Sequence, residues 1–467
     1  MPIASIGPLI RTRIKKNLTI NNPAFVDAIR LELAIRVNPV LRYFRETDDY
    51  IEAPIGSTPQ ILSILGSDWG IDDQRNESKL DIDYKTDFVL RDYQIESLEA
   101  LKNRTVGVIE APTGTGKTYI MLELIKQKQQ NTIILVDTYE LAEQFKKRLK
   151  ELTNVEEIGF VGGGKKEWKP ITIALLQTMR NLTRDELKYV NENFGMILCD
   201  EVHIVAANTY YNTLRRLNIK YKFGFSATPE RADGLTPVIF WATGPKVHVV
   251  TPRQTQNHII QPTLEIVKTT FTWPLIQNTD YSYMVSDLSI DAERNRLIVN
   301  HYNTNETHKN MQAVFLCTLR TQIYILWDML GRTGGVLISP LDRDSKFKLR
   351  REAGASNEDL ELFNSFSTKK NRDNVIKNLR SGKIDKVFST YALFNKGIDI
   401  DTLELMYMCG PTRSKTRVLQ SKGRIVRKRL DGQLKQPKIV HVFDERIDML
   451  KWQGYSVHRI LRQSIQI

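Results

Sequence analysis

Between residues 88 and 252, short apolar runs at 106–109, 132–136, 171–176, 196–199 and 221–225 alternate with longer stretches of helical period such as 117–128. Apolar runs of this length without polar alternation suit strands covered on both faces, and their alternation with helices predicts βαβ units around a parallel sheet. After a polar connection around 253–262 the alternation resumes. Strands are expected at 313–317, 360–363, 386–389, 404–409 and 438–443, with helices at 322–330 and 372–379. The first 85 residues differ. A helical pattern at 23–37 is flanked by strand-like pieces, and an acidic stretch containing Gly and Ser ends near Asp87. The expected fold class is therefore α/β, with a small α+β domain at 1–85 and two tandem parallel-sheet domains at 86–253 and 254–467.

The first candidate chemistry sits where one predicted strand turns into a helix. Residues 111–118 read A-P-T-G-T-G-K-T, the pattern G-x-x-x-x-G-K-[ST] with Ala111 in place of the leading glycine. Such a turn aims backbone N–H groups and a helix N-terminus at phosphate. Thr113, Gly114, Thr115 and Gly116 would form the cradle, Lys117 would reach the β- and γ-phosphates, and the Thr118 hydroxyl would ligate Mg²⁺. A second buried strand ends in C-D-E-V-H at 199–203. Asp200 is placed to hold Mg²⁺, and Glu201 to take a proton from an attacking water. The expected cofactors are thus ATP, or another nucleoside triphosphate, and Mg²⁺.

Composition changes the picture in one respect. Of 467 residues, 67 are Lys or Arg and 54 are Asp or Glu, a formal charge of +13 that favours a polyanionic partner. Cys199, Cys317 and Cys409 lie in apolar runs at spacings that suit neither a disulfide framework nor a zinc site. The beginning of the chain lacks the pattern of a secretory signal, and no uncharged apolar run approaches spanning length. A cytoplasmic protein with no membrane partner is expected, in the host cytoplasm if the gene is a phage's.

The order of the motifs from 89 to 443 resembles the superfamily two helicases. L-R-D-Y-Q at 90–94 is similar to the adenine-recognition element of the XPB and restriction-motor group, which implies base contacts for Arg91 and Gln94 and favours ATP. V-D-T-Y-E-L-A-E-Q-F from Val136 and L-L-Q-T from Leu175 resemble nucleic-acid-contacting motifs. D-E-V-H is a D-E-x-H box, and F-S-A-T-P-E-R-A-D-G from Phe225 matches the third motif. In the second half, V-F-L-C-T from Val314, S-T-Y-A-L-F-N-K-G-I-D from Ser389 and Q-S-K-G-R-I-V-R from Gln420 resemble motifs four to six. The resemblance implies two RecA-like domains. It makes Gln420 an orienting residue and Arg424 and Arg427 arginine fingers on the γ-phosphate, with Gly397 and Asp399 also at the nucleotide. His203, Ser226 and Thr228 would couple nucleotide to nucleic acid. By residues alone, 411–430 is equally a solvated basic helix, and the plain alternative for Ser226 and Thr228 is that they end a strand.

Within the family, size and motif wording lie nearest to the bacteriophage branch-migration helicases of the UvsW type; the R-E-D motif of the more distant XPB group is not found. The implied activity is an ATP-dependent DNA helicase acting on forked or branched DNA. A double-strand translocase without strand separation and an RNA helicase share the same motifs. Thr138, Gln177, Thr318 and Thr390, each just past a strand, would meet the nucleic-acid backbone, although Thr and Gln serve equally as helix caps. The basic start of the chain with Tyr43, Phe44 and Tyr50 suits a DNA- or branch-binding module, or else those rings are core. Finally, 335–358 is read as two short strands around D-R-D-S, a basic hairpin that is either a wedge or a plain surface loop.

Overall fold

The computed structural model describes residues 2–4, 8–30, 38–48, 50–66, 72–202, 207–231, 233–255, 260–273, 281–395, 400, 402–412, 414–426, 435–444 and 461. The chain divides into two compact units, 1–112 with 116–251, and 252–467 with 113–115. His203, Gly397, Asp399 and Arg427 lie outside the described residues.

An eight-stranded sheet carries the first unit. From edge to edge its strands are Lys246–Val249, Val106–Glu110, Tyr221–Ser226, Met196–Asp200, Thr132–Val136, Ile171–Leu175, Gly159–Gly162 and Lys165–Glu167. Every neighbouring pair is parallel except the last, an antiparallel hairpin. Thr132–Val136 is buried at all five positions, as a strand covered on both faces requires. Register brings Asp200 opposite Phe225 and Ser226 opposite Glu110, so three adjacent strands finish level. The loops leaving the first and third of them start about 10 Å apart, twice the strand spacing.

The N-terminal residues pack into this unit. Thr19–Asn21 pairs antiparallel with Val40–Arg42, and Tyr50–Glu52 lies between Pro2–Ala4 and Arg45–Glu46. Ile14, Leu18, Ile51 and Ile61 share one apolar core with Ile197, Tyr211 and Trp241. The contact is close enough that a Cβ on Gly56 would stand 1.9 Å from the Phe240 carbonyl oxygen. Tyr43 is buried, edge-on to Tyr211 and tilted against Trp241 at 5.1 Å from each. Its hydroxyl bonds Asn208. Tyr43 is therefore a core ring, not a base-stacking one, and Phe44 packs partly buried against the same core.

One buried charge in this core makes a testable prediction. Lys222, the second residue of the Tyr221–Ser226 strand, donates to the Leu214 and Leu217 carbonyls at 2.9 and 2.7 Å, closing the end of the helix Ala207–Leu214. Burial, with Arg75 nearby, pushes its ammonium down to about 7. A cation depressed in the folded state leaves the unfolded chain holding the extra proton between about 7 and its ordinary 10.5. Stability should therefore rise with pH across that window, by up to about 1.4 kcal/mol per unit. Urea unfolding of the wild type against Lys222→Met at pH 7 and pH 9 should show the difference shifting in favour of the wild type at the higher pH. Parallel profiles would refute a depressed Lys222.

The second unit has six strands in the order Thr263–Lys268, Lys438–Phe443, Leu405–Met408, Ala313–Cys317, Lys386–Thr390 and Gly335–Leu337, all parallel. Phe315 stacks between Phe388 and Tyr407 on one face, with ring separations of 5.0 and 4.8 Å. Two sequence expectations fail here. Residues 360–363 are not a strand but part of the helix Asn357–Ser365, started by a reciprocal cap between Ser356 and Asp359. Leu360 and Phe363, three apart, are its buried face. The basic hairpin is not a hairpin either. After the short strand Gly335–Leu337 comes the helix Arg343–Ala353, capped by Asp342 on the Ser345 N–H and ended by Gly354 in the left-handed region. Its K-F-K-L run alternates like a strand, but caps at both ends decide for helix. Among the described residues no helix is long and apolar enough to cross a membrane.

Candidate nucleotide-binding site

The strand Val106–Glu110 leads through the glycine turn into the helix Lys117–Lys128. Gly114 and Gly116 have φ of 90° and 79°, a region open to glycine and strained for other residues. Gly116 has a second reason to lack a side chain, since a Cβ there would lie 2.6 Å from Gln94 Nε2. Ala111 stands in for glycine without strain because its φ is ordinary. Its N–H continues the sheet ladder to the Ser226 carbonyl at 2.8 Å.

Gln94 is buried in the first turn of the helix Asp92–Lys102. It accepts the Arg91 N–H at 2.9 Å and donates to the Gly116 carbonyl at 3.3 Å, tying this helix to the mouth of the glycine turn. The Arg91 guanidinium donates to the Tyr93 hydroxyl at 2.8 Å. Of the two residues expected at adenine, Gln94 thus stands at the mouth of the glycine turn, while the Arg91 side chain is held by Tyr93.

Asp200 ends the strand Met196–Asp200, and Glu201 follows with φ of 49°, left-handed in a residue that carries a side chain. Such strain persists only where surroundings fix it, and it clusters at functional sites. The turn aims the Glu201 carboxylate at Lys117, whose ammonium donates to its Oε1. Both side chains are largely buried. Between the two loops runs the strand that ends in Ser226. Its hydroxyl accepts the Thr228 N–H at 3.1 Å, while its carbonyl holds Ala111. Ser226 is thus joined to the start of the glycine turn through the sheet ladder, and its hydroxyl ends the strand by accepting the Thr228 N–H.

These groups suit a nucleoside triphosphate with a hard cation. A left-handed glycine pair before a helix N-terminus makes an anion cradle. One carboxylate and one hydroxyl, from Asp200 and Thr118, suit Mg²⁺, which takes its remaining ligands from phosphates and water. Among the described residues, no three His, Cys, Asp or Glu side chains cluster as a metal cage.

In the second unit Gln420 and Arg424 lie one turn apart on the helix Lys415–Ile425. Arg424 is buried and its Nη2 donates to the Asn395 carbonyl at 3.1 Å. The Ser421 hydroxyl donates to Asn395 Oδ1 at 3.0 Å, and Asn395 Nδ2 to the Arg417 carbonyl at 3.0 Å. A solvated basic helix is ruled out for this face. Asn395, inside the fifth motif but not singled out by sequence, is the residue that links it to the sixth. Lys422 on the same helix is pushed down to about 8 by burial.

The four expected backbone contacts sit at the carboxyl ends of strands. Thr138 and Thr390 cap the helices Tyr139–Leu152 and Tyr391–Phe394 through the Leu141 and Leu393 N–H groups. Thr318 donates to the Pro411 carbonyl at 2.6 Å, and Gln177 is exposed on the helix Leu176–Arg180.

Two family models match the chain: type III restriction enzyme, res subunit, over 87–231, and helicase conserved C-terminal domain over 293–429, more than half of the residues between them. The chain belongs to the superfamily two helicases. This helicase chain is similar to the DNA 3'-5' translocase XPB2 of Sulfurisphaera tokodaii, 24% identical over 364 residues that cover 73% of this chain and 79% of that protein. It is also similar to the DNA 3'-5' helicase XPB of Mycobacterium tuberculosis, 27% identical over 351 residues covering 73% and 59%. The chain thus spans about three fifths of the mycobacterial relative's length. Among solved structures, Saccharomyces cerevisiae Dbp5 bound to RNA and ADP BeF3 matches with a TM-score of 0.54 at 15% identity, covering 80% of this chain and 87% of that one. That likeness concerns the fold, two RecA-like domains.

Proposed function

We propose that this helicase chain is an ATP-driven DNA motor that unwinds or branch-migrates forked or branched DNA in the cytoplasm. The observation that carries the ATPase part is the meeting of Lys117 and Glu201 beside a left-handed glycine cradle. Phosphate arriving in the cradle competes with Glu201 for the Lys117 ammonium. Lys117 turns to the β- and γ-phosphate oxygens, and Glu201 is released to accept a proton from the water that attacks the γ-phosphorus. Thr118 and Asp200 would hold Mg²⁺, which when bound neutralises charge on the phosphate oxygens. Gln420, Arg424 and Arg427 would orient the reactants and oppose the charge that builds on the transferred phosphoryl. Arg91 and Gln94 would face adenine, and Gly397, Asp399 and His203 complete the proposed set.

DNA as the track is supported by the printed names of the two relatives, both DNA 3'-5' enzymes, and by a charge of +13. The forked substrate rests on the resemblance to bacteriophage branch-migration helicases. A double-strand translocase is the second reading, favoured by the name of the Sulfurisphaera relative. ATP turnover with no nucleic acid, single-stranded DNA, duplex, a forked junction and matched RNA separates these. Stimulation greatest on the fork is expected. Equal stimulation by duplex without strand displacement would favour the translocase, and greater stimulation by RNA would overturn the DNA assignment.

A further inference from the structure

The helix Arg343–Ala353 in the second unit has two unlike faces. Leu349 is buried, and Ser345, Lys348 and Glu352 are half-buried on the inner side. On the outer side stand Arg343, Lys346, Phe347, Arg350 and Arg351, all exposed, with Asp344 at the margin as the one exposed acid. Phe347 is 58% exposed, the only exposed phenylalanine among the described residues. The Arg351 guanidinium lies 5.4 Å over its ring. An exposed aromatic ring among four cations fits a polyanion that also offers flat apolar rings.

The helix is also held firmly. Arg320 donates to the Pro340 carbonyl at 2.6 Å, to Asp342 Oδ2 at 2.9 Å and to the Ser345 hydroxyl at 2.5 Å, and the Leu341 N–H donates to Asn364 at 2.9 Å. Arg320 opens the helix that follows Ala313–Cys317, two residues after Thr318. The strands Ala313–Cys317, Lys386–Thr390 and Gly335–Leu337 are parallel neighbours in that order. Their carboxyl ends therefore bring Thr318, Thr390 and the segment that leads into the basic helix to the same end of the sheet.

We propose that the outer face of Arg343–Ala353 binds single-stranded nucleic acid, with Arg343, Lys346 and Arg350 on backbone phosphates and Phe347 stacked on an unpaired base. This rests on the proposed function in one respect, that the chain moves along nucleic acid, with the strand passing Thr318 and Thr390 as the sequence motifs imply. Stacking is tolerant of sequence, so the face is expected to prefer strandedness and not base identity. It supplies a contact that a paired base cannot make.

The test uses the full chain and fluorescein-labelled dT20, with a 20-base-pair duplex as comparison. Phe347→Ala should weaken dT20 binding about tenfold, within the range for loss of one stacked base, and leave duplex binding and basal ATP turnover unchanged. Phe347→Trp should retain affinity, and its fluorescence should be quenched on dT20. Lys346→Ala with Arg350→Ala should lower the slope of log affinity against log salt by about 1.4, the loss of two single-strand phosphate contacts. Wild-type affinity in Phe347→Ala, a wild-type salt slope in the Lys346/Arg350 double variant, or equal losses on duplex and dT20 would overturn the inference. A wild type that neither binds dT20 nor is stimulated by any nucleic acid would overturn the proposed function and the inference with it, whereas stimulation with unaltered variants would overturn the inference alone.

Discussion

Lys117→Ala is expected to lower ATP turnover by at least two orders of magnitude, the usual loss when one preorganised charge on a transferring phosphoryl group is removed. Nucleotide affinity should fall with it, because the ammonium is the one side-chain cation of the cradle. Glu201→Gln should lose turnover to a similar degree by a different route. It removes the base, but it also removes the carboxylate that competes for Lys117. Nucleotide affinity should therefore be kept or improved. Titration with a fluorescent ATP analogue, beside steady-state turnover, separates the two variants. If Glu201→Gln bound nucleotide as poorly as Lys117→Ala, the partner-exchange step would be wrong. If Lys117→Ala still turned over, the cradle itself would be misassigned.

The residues behind that prediction are legible in the sequence, for a physical reason. A phosphate cradle demands left-handed glycines, a helix start and a fixed lysine, and each demand leaves a mark on local sequence. The helix Lys117–Lys128 starts where the sequence pattern places it because Gly116 fixes its start. The buried central strands were legible for a similar reason, since five apolar residues covered on both faces leave no alternation to misread.

Other features depend on partners distant in the chain. The Lys117–Glu201 pair joins residues 84 apart and needs the left-handed turn at Glu201, which no local pattern announces. Asn395 is one polar residue in a recognised motif, and only its bonds to Ser421, Arg417 and Arg424 single it out. Tyr43 could not be told from a stacking ring until Tyr211 and Trp241 were seen to cover it. At 343–353 the fault lay in the period. K-F-K-L alternates over four residues, whereas the helix shows only over eleven, with Asp342 and Gly354 as its punctuation. The edge strand Thr263–Lys268 and the helices Tyr281–Ile290 and Ala292–Thr304 were not anticipated, because they follow a polar stretch and their patterns are weak.

That last helix brings the largest expected effect on stability. Arg294 sits in its first turn and is almost wholly buried. Its Nε and Nη2 donate to the two oxygens of Asp444 at 2.8 Å each, and the Thr269 hydroxyl donates to the same carboxylate. Thr269 and Asp444 follow the paired strands Thr263–Lys268 and Lys438–Phe443, so the fork of Arg294 fastens the helix to the edge of the sheet. Burying two charges is itself costly, and the pair need not add net stability over an apolar replacement. Removing one partner is another matter, since it strands the other charge without solvent. Arg294→Met should cost about 3–5 kcal/mol. For a unit of this size that is a loss of roughly 6–20 °C in melting temperature. Arg294→Met combined with Asp444→Asn removes the stranded charge while keeping an acceptor for Thr269, and should recover a large part of the loss. Calorimetry of the full chain tests both. A single variant melting with the wild type would show that water or another cation reaches Asp444. A double variant no better than the single would mean that the fork matters for its shape and hydrogen bonds more than for its charge.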